Sequence, residues 1–283
     1  MSNFAWLSFL LFSLFVVGCA VGSFLNVCIY RMATERSISW PGSHCGACVR
    51  PISSWYNIPL LTYLWLGGRC ARCGARFSIR YFLVELLTGV VFVGLFAVEV
   101  GSNWQQAWTG SGWEALQWGQ FPPDVVPYYL AHIFLACLLI VAVGTLADGA
   151  DVPPAVVIAG ALGGFGFAWI YPNFMLAGSP ALFAVWLVPV VARLTRTDRS
   201  GADVALVAGG FLGWQPVAVA LVAAALIPGS CLGLRLALLL PIVWLGWPLR
   251  AWLLHPAALV VLLMLVLWST QRRETTDNSS PRI

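Results

Sequence analysis

The chain has few charged residues and no lysine. Charged side chains make up 9% of its 283 residues, all 15 basic residues are arginine, and the formal net charge is only +4. Soluble globular domains carry about 25% charged residues. The composition therefore argues against a soluble domain, and the weak positive charge does not suggest a nucleic-acid partner.

Hydrophobic sequence is abundant instead: 60% of the residues are hydrophobic and the mean hydropathy is +0.85. Because a bilayer is crossed by about 20 apolar residues, the chain is predicted to be an all-α polytopic membrane protein with about eight transmembrane helices. The apolar runs are 4–29, 81–100, 127–147, 155–170, 175–192, 204–213, 217–227, 232–247 and 251–268.

The distribution of arginine predicts the orientation. Residues 31–80 contain seven arginines against one acid, Glu35. An excess of arginine marks cytoplasmic loops, so the N-terminus is expected outside. The predicted domains are a first transmembrane helix at 1–30, a cytoplasmic loop at 31–80, a helical bundle at 81–270 and a disordered cytoplasmic tail at 271–283.

The 31–80 loop carries two C-x-x-C pairs, formed by Cys45, Cys48, Cys70 and Cys73. Two such pairs at this separation are typical of a tetrahedral zinc site. The alternatives are two disulfides or four unrelated thiols, and a reducing cytoplasm disfavours disulfides. A shell of four thiolates has no open coordination position, so the predicted zinc is structural.

Two aspartates are expected on the cytoplasmic side, at facing ends of two spans. Asp148 follows the run 127–147, and Asp203 is expected where the next helix starts. Two neighbouring carboxylates can share a proton and perform aspartyl-protease chemistry. The alternative is that Asp148, Asp151 and Asp203 are helix caps.

Other polar residues lie within the apolar runs. Glu85, expected in the first turn of its span, is either functional or interfacial. His132 is expected to be a packed or interfacial residue. Small buried hydrophobes are expected at Cys19, Cys28, Cys137 and Cys231.

The N-terminal motifs resemble the type IV prepilin leader peptidases. They are GSFLN at residues 22–26, the two cysteine pairs, NIP at 57–59, GRC at 68–70, SIRY at 78–81 and VELL at 84–87. The resemblance extends from about residue 15 to Trp214. It implies a bacterial inner-membrane aspartyl endopeptidase that trims prepilins or type II secretion pseudopilins, and an S-adenosylmethionine-dependent N-methyltransferase acting on the new N-terminus.

The resemblance also assigns candidate residues. It implies Asp148 and Asp203 as the catalytic pair, with Asp151 as the runner-up for the first aspartate, and Asn26 and Glu85 as weak candidates for cofactor binding. The chain departs from the family's Gly-x-Gly-Asp pattern, because Ser200 and Ala202 replace both glycines. A Cβ atom at either position would be costly if the backbone required a positive φ.

Two further functions remain open from the sequence. The first is a catalytically inactive relative that serves as a zinc-bearing membrane scaffold in pilus or secretion assembly. The second is a transporter, which is weaker because the acids cluster at one face rather than at the midplane. The expected partners are prepilins or pseudopilins and the lipid bilayer.

Overall fold

The regular secondary structure of the described residues is helical. The structure, a computed structural model, describes residues 3–102, 111–120, 125–170, 199–212, 217, 219–221, 223–224, 227 and 231–246. A 3-10 turn at Ser54–Asn57 and a π-helical segment at Ala97–Gly101 supplement the α-helices. These helices are α1 Asn3–Ala33, α2 Leu61–Trp65, α3 Ile79–Phe96, α4 Ser111–Gln117, α5 Val126–Ala147, α6 Pro154–Ile170, α7 Arg199–Leu212 and α8 Leu232–Leu245.

Within these residues, three helices are long and apolar enough to cross a membrane. They are Ala5–Ala33, Ile79–Gly101 and Val126–Ala147, with hydropathies of 2.2, 2.2 and 2.5. Shorter apolar helices cover Pro154–Phe167, Ser200–Gly209 and Leu232–Leu245. The predicted helical class is therefore confirmed for the described residues, which include three helices that could cross a membrane, but eight spans are not confirmed. The predicted runs 175–192 and 251–268 and the tail 271–283 lie outside the described residues.

Helices α1 and α3 approach closely because small residues line their contact. A Cβ atom on Gly22 would lie 2.8 Å from the Cα of Glu85, and one on Gly89 would lie 2.6 Å from the Sγ of Cys19. Lipid tails are as apolar as the helices themselves, so close packing rather than exclusion of water favours such an association. The consequence is that the polar residues of α1 and α3 face each other near the 31–80 loop.

Helix α5 lies at the centre of the bundle and packs against α1, α3, α6, α7 and α8. It ends where Gly149 adopts a φ of 76° and donates its N–H to the carbonyl of Leu146. Glycine takes this left-handed conformation with little strain. Asp148 is thereby left as the C-terminal cap of α5.

Two predicted helix starts are wrong, and both concern acidic residues. Helix α3 begins at Ile79, so Glu85 lies in its second turn rather than its first. Helix α7 begins at Arg199, so Asp203 lies within the helix rather than at its start. Ser78 accounts for the first shift, because its hydroxyl caps α3 by accepting the N–H of Arg80.

Candidate functional site

The two cysteine pairs lie on two hairpins of similar construction. In the first, the N–H of Cys45 bonds to the carbonyl of Arg50 at 3.0 Å; in the second, the N–H of Cys70 bonds to the carbonyl of Ala75 at 2.8 Å. The first hairpin is fixed to the end of α1 by Arg31, whose buried guanidinium donates to three carbonyls of the preceding loop. The two cysteine pairs are separated by 21 residues in sequence.

The four sulfur atoms form a compact cluster. The Sγ atoms of Cys45, Cys48, Cys70 and Cys73 all lie within 4.8 Å of one another, and those of Cys45 and Cys73 are 3.8 Å apart. A tetrahedral zinc ion with Zn–S bonds of about 2.3 Å requires sulfurs about 3.8 Å apart. All eight cysteines are described and none forms a disulfide. The predicted donor set therefore has the chemistry and spacing of a four-thiolate metal centre.

Backbone hydrogen bonds make the thiols of this cluster unequal. The N–H groups of Cys73 and Arg72 lower the pKa of Cys70 to about 6. The Ala75 N–H alone would lower the pKa of Cys73, but burial and the neighbouring sulfurs together raise it to about 11. A metal must therefore displace protons from the cluster when it binds.

A cavity of about 840 Å³ lies between the cysteine hairpins, α1 and α3. Asn26 and Glu85, the predicted cofactor-binding candidates, both line it. Asn26 Nδ2 donates to the carbonyl of Tyr81 at 3.0 Å, whereas its buried Oδ1 has no hydrogen-bond partner among the described residues. Glu85 is 9% exposed and its Oε2 accepts the Leu60 N–H at 2.8 Å. The structure thus brings together two acceptor groups that are 59 residues apart.

The two predicted catalytic aspartates have different surroundings. Asp148 caps α5, its side chain is 39% exposed, and its Oδ1 pairs with Nη1 of Arg80 at the start of α3. Asp203 is buried, with 6% of its surface exposed, on α7. Asp151, the runner-up, is exposed in the short connection that leads to α6.

The departures from the family pattern do not strain the backbone. Residues 199–212 are helical throughout, and neither Ser200 nor Ala202 has a positive φ. Ser200 also makes a contact that glycine could not make, because its Oγ accepts the N–H of Gly233 in the first turn of α8 at 3.1 Å. The replacement therefore adds a bond between α7 and α8.

Sequence reasoning missed a buried polar pair. Glu99, on the π-helical segment, is fully buried, and its Oε1 lies 2.6 Å from Nδ1 of His132 on α5. The ring of His132 also packs edge-to-face on Trp244 of α8, with centroids 4.8 Å apart. His132 is a packed residue, as predicted. The position of Glu99 near the end of an apolar run could have indicated a buried acid. Its partner could not be predicted, because His132 is 33 residues away in the sequence.

Comparisons with known proteins find a family match within about the first third of the chain. Residues 16–98 match the bacterial peptidase A24 N-terminal domain. This region contains the four cysteines, Asn26 and Glu85. The match confirms, for this part of the chain, the predicted resemblance to the prepilin leader peptidases.

Similar proteins named prepilin leader peptidase/N-methyltransferase occur in several bacteria. The chain is 42% identical over 113 residues to the one from Neisseria gonorrhoeae, covering 31% of this chain and 39% of that protein. It is 52% identical over 79 residues to the one from Myxococcus xanthus, covering 28% and 24%. It is 45% identical over 96 residues to the one from Klebsiella pneumoniae, covering 32% and 40%. These matches span at most about two fifths of each relative, and no solved structure matches the chain.

Proposed function

We propose that the protein is a prepilin leader peptidase: a multi-pass enzyme of the bacterial inner membrane that removes the leader from prepilins or pseudopilins. The observation that carries this proposal is the peptidase A24 N-terminal domain with its four clustered thiols. The seven arginines of residues 31–80 support a cytoplasmic position for the metal-binding loop and an N-terminus outside. In this orientation the loop lies on the cytoplasmic side, where the proposed enzyme would cut the basic leader peptide.

We assign the chemistry to Asp148 and Asp203. In an aspartyl mechanism one carboxylate activates a water molecule while the other, protonated, donates to the scissile carbonyl. Burial of Asp203 in α7 provides the shielded environment that such sharing of a proton needs. Arg80 contacts Asp148 through Oδ1 and positions its carboxylate at the end of α5.

Leader removal by single variants tests this assignment. Asp148→Asn and Asp203→Asn should each abolish cleavage of a co-expressed prepilin, and mass spectrometry of the pilin N-terminus provides the measurement. Asp151→Asn is the matched control, because this exposed aspartate lies three residues after Asp148 and should be dispensable. Cleavage retained in both of the first two variants, with normal zinc content, would refute the pair.

We propose N-methylation of the new N-terminus as a second activity, located in the cavity of α1 and α3. S-Adenosylmethionine supplies a methyl group on a sulfonium when bound. The buried Oδ1 of Asn26 and the carboxylate of Glu85 offer acceptors for the donor groups and positive charge of such a molecule. Glu85→Gln should remove N-methylation while leader removal continues. Loss of both activities together would indicate that Glu85 stabilises the fold rather than binding the cofactor.

A scaffold function is the alternative, and the altered pattern at Ser200 and Ala202 is the observation that favours it. A scaffold would retain the metal centre and support pilus or secretion assembly without processing any substrate. Wild-type protein that leaves every co-expressed prepilin of its own host uncut, yet is required for assembly, would establish the scaffold and exclude the peptidase.

A further inference from the structure

Exposed apolar side chains cover one short stretch of the metal-binding loop. Leu61, Leu64 and Trp65 of α2 are 64%, 65% and 87% exposed, and Trp55 in the adjoining 3-10 turn is 80% exposed. The three α2 residues are spaced i, i+3 and i+4, so they lie on one side of the helix. Thr62 Oγ1 ties α2 to the turn by donating to the carbonyl of Trp55. We call residues 55–65 the anchor segment.

The opposite side of the anchor segment is fixed to α3. The ring of Tyr63 contacts the ring of Phe82, with centroids 5.5 Å apart. The N–H of Leu60, directly before α2, donates to Glu85 at 2.8 Å. Both partners lie on a helix that is long and apolar enough to span the membrane. The position of the anchor segment relative to the bilayer is therefore set by α3.

The attachment points give the depth of the anchor segment. Glu85 lies six residues after Ile79, the first residue of the span, which corresponds to about 9 Å along the helix axis. The apolar helix Ile79–Gly101 has 23 residues and is only slightly longer than the hydrocarbon core of about 30 Å. An element hydrogen-bonded to Glu85 is thus held about 7 Å inside the boundary of headgroups and acyl chains, within the depth of about 5–10 Å to which interfacial helices bury their apolar side.

The composition of the surrounding loop indicates which lipid it meets. Tryptophan is the side chain most typical of the membrane interface, and two of the exposed residues are tryptophans. Residues 31–80 also carry seven arginines against one acid. Clusters of arginine beside a membrane-spanning helix attract anionic phospholipids. The apolar side chains and the charge of the loop therefore complement the same surface.

We propose that the anchor segment lies in the interface of the protein's own membrane, with Leu61, Leu64 and Trp65 among the lipids, and that it holds the metal-binding loop against anionic headgroups. This inference does not depend on the peptidase activity. It requires only that α3 spans the bilayer and that the contacts of Leu60 and Tyr63 with α3 are kept.

Fluorescence quenching in nanodiscs tests the proposal on the full-length protein. A fluorescent noncanonical amino acid replaces Trp65 in one variant and Ala71 in a control. Ala71 is exposed at the tip of the second cysteine hairpin. The base of this hairpin, where the Phe77 N–H bonds to the Gly68 carbonyl, lies on the side of α3. Equal zinc content in both variants shows that the loop is folded.

In nanodiscs that contain phosphatidylglycerol, the fluorophore at position 65 should be quenched several-fold more by lipids with a nitroxide near the headgroup than by aqueous iodide. The fluorophore at position 71 should show the reverse order. Iodide quenching at 65 as strong as at 71 would overturn the lipid contact, and shielding of 65 from both quenchers would assign the surface to a protein instead. Identical quenching in purely phosphatidylcholine nanodiscs would overturn the preference for anionic lipid.

Discussion

Val49 is expected to weaken the metal centre, because it holds a backbone conformation that suits glycine. It follows Cys48 in the first hairpin with a φ of 55°, while Gly74 holds the same place after Cys73 with a φ of 70°. A non-glycine residue in this conformation costs about 1–2 kcal/mol of folding stability. Replacing it with glycine relieves that cost, but the greater conformational entropy of glycine in the unfolded chain offsets about 0.4–1 kcal/mol of the gain. The substitution Val49→Gly should therefore stabilise the hairpin by about 1 kcal/mol.

The gain should appear in metal affinity, because a site that forms only on folding couples the two free energies. About 1 kcal/mol corresponds to roughly fivefold tighter zinc binding in Val49→Gly. The opposite change, Gly74→Val, should weaken zinc binding by a similar factor. Competition with a chromogenic chelator on the detergent-solubilised full-length protein measures both.

Ala47→Gly is the matched control, since Ala47 is exposed in the same hairpin and has no positive φ. It should leave the zinc affinity unchanged or reduce it slightly, because the unfolded chain gains freedom with no strain relieved. Equal effects of Ala47→Gly and Val49→Gly would refute the conformational argument. So would a Gly74→Val variant that binds zinc as tightly as the wild type.

Three further predictions concern the helical bundle. Arg80→Ala should reduce leader removal more than Arg80→Lys, because lysine keeps a positive charge near Asp148. The Tm should hardly change, because the pair is partly exposed. A loss of Tm that parallels the loss of activity would contradict a positioning role for Arg80. Glu99→Ala removes the buried carboxylate that contacts His132 and should cost about 2 kcal/mol, seen as a lower Tm in detergent with unchanged zinc content. Ser200→Gly restores the family residue but removes the bond to α8, costing about 1 kcal/mol; faster leader removal in this variant would show that the replacement limits activity.

Features with a local chemical signature could be predicted from the sequence. The spacing of Cys45, Cys48, Cys70 and Cys73 is sufficient for the metal cluster, because each pair needs only one tight turn. The α5 end before Asp148 was also predictable, since the apolar run stops there and Gly149 follows. These signals reside within a few residues and do not depend on the rest of the fold.

Features that depend on partners distant in the chain could not be predicted. The Glu99–His132 pair and the Arg80–Asp148 pair join residues that are 33 and 68 positions apart. No local sequence pattern indicates which residues will be partners. The start of α7 was misplaced because the polar residues 199–203 look like a loop. In the bundle they form a helix, where Ser200 is buried and bonded to α8.

The first two turns of α3 connect the metal centre to the bundle. Arg80 contacts Asp148 on α5, and Glu85 holds Leu60 beside the cysteine hairpins. Residues that are five positions apart in an α-helix point about 140° apart around the helix axis. Arg80 and Glu85 therefore make their contacts on different sides of α3. Helix α3 therefore lies between the metal-binding loop and the end of α5. One helix thus contacts both the loop that carries the four thiols and the aspartate at the end of α5.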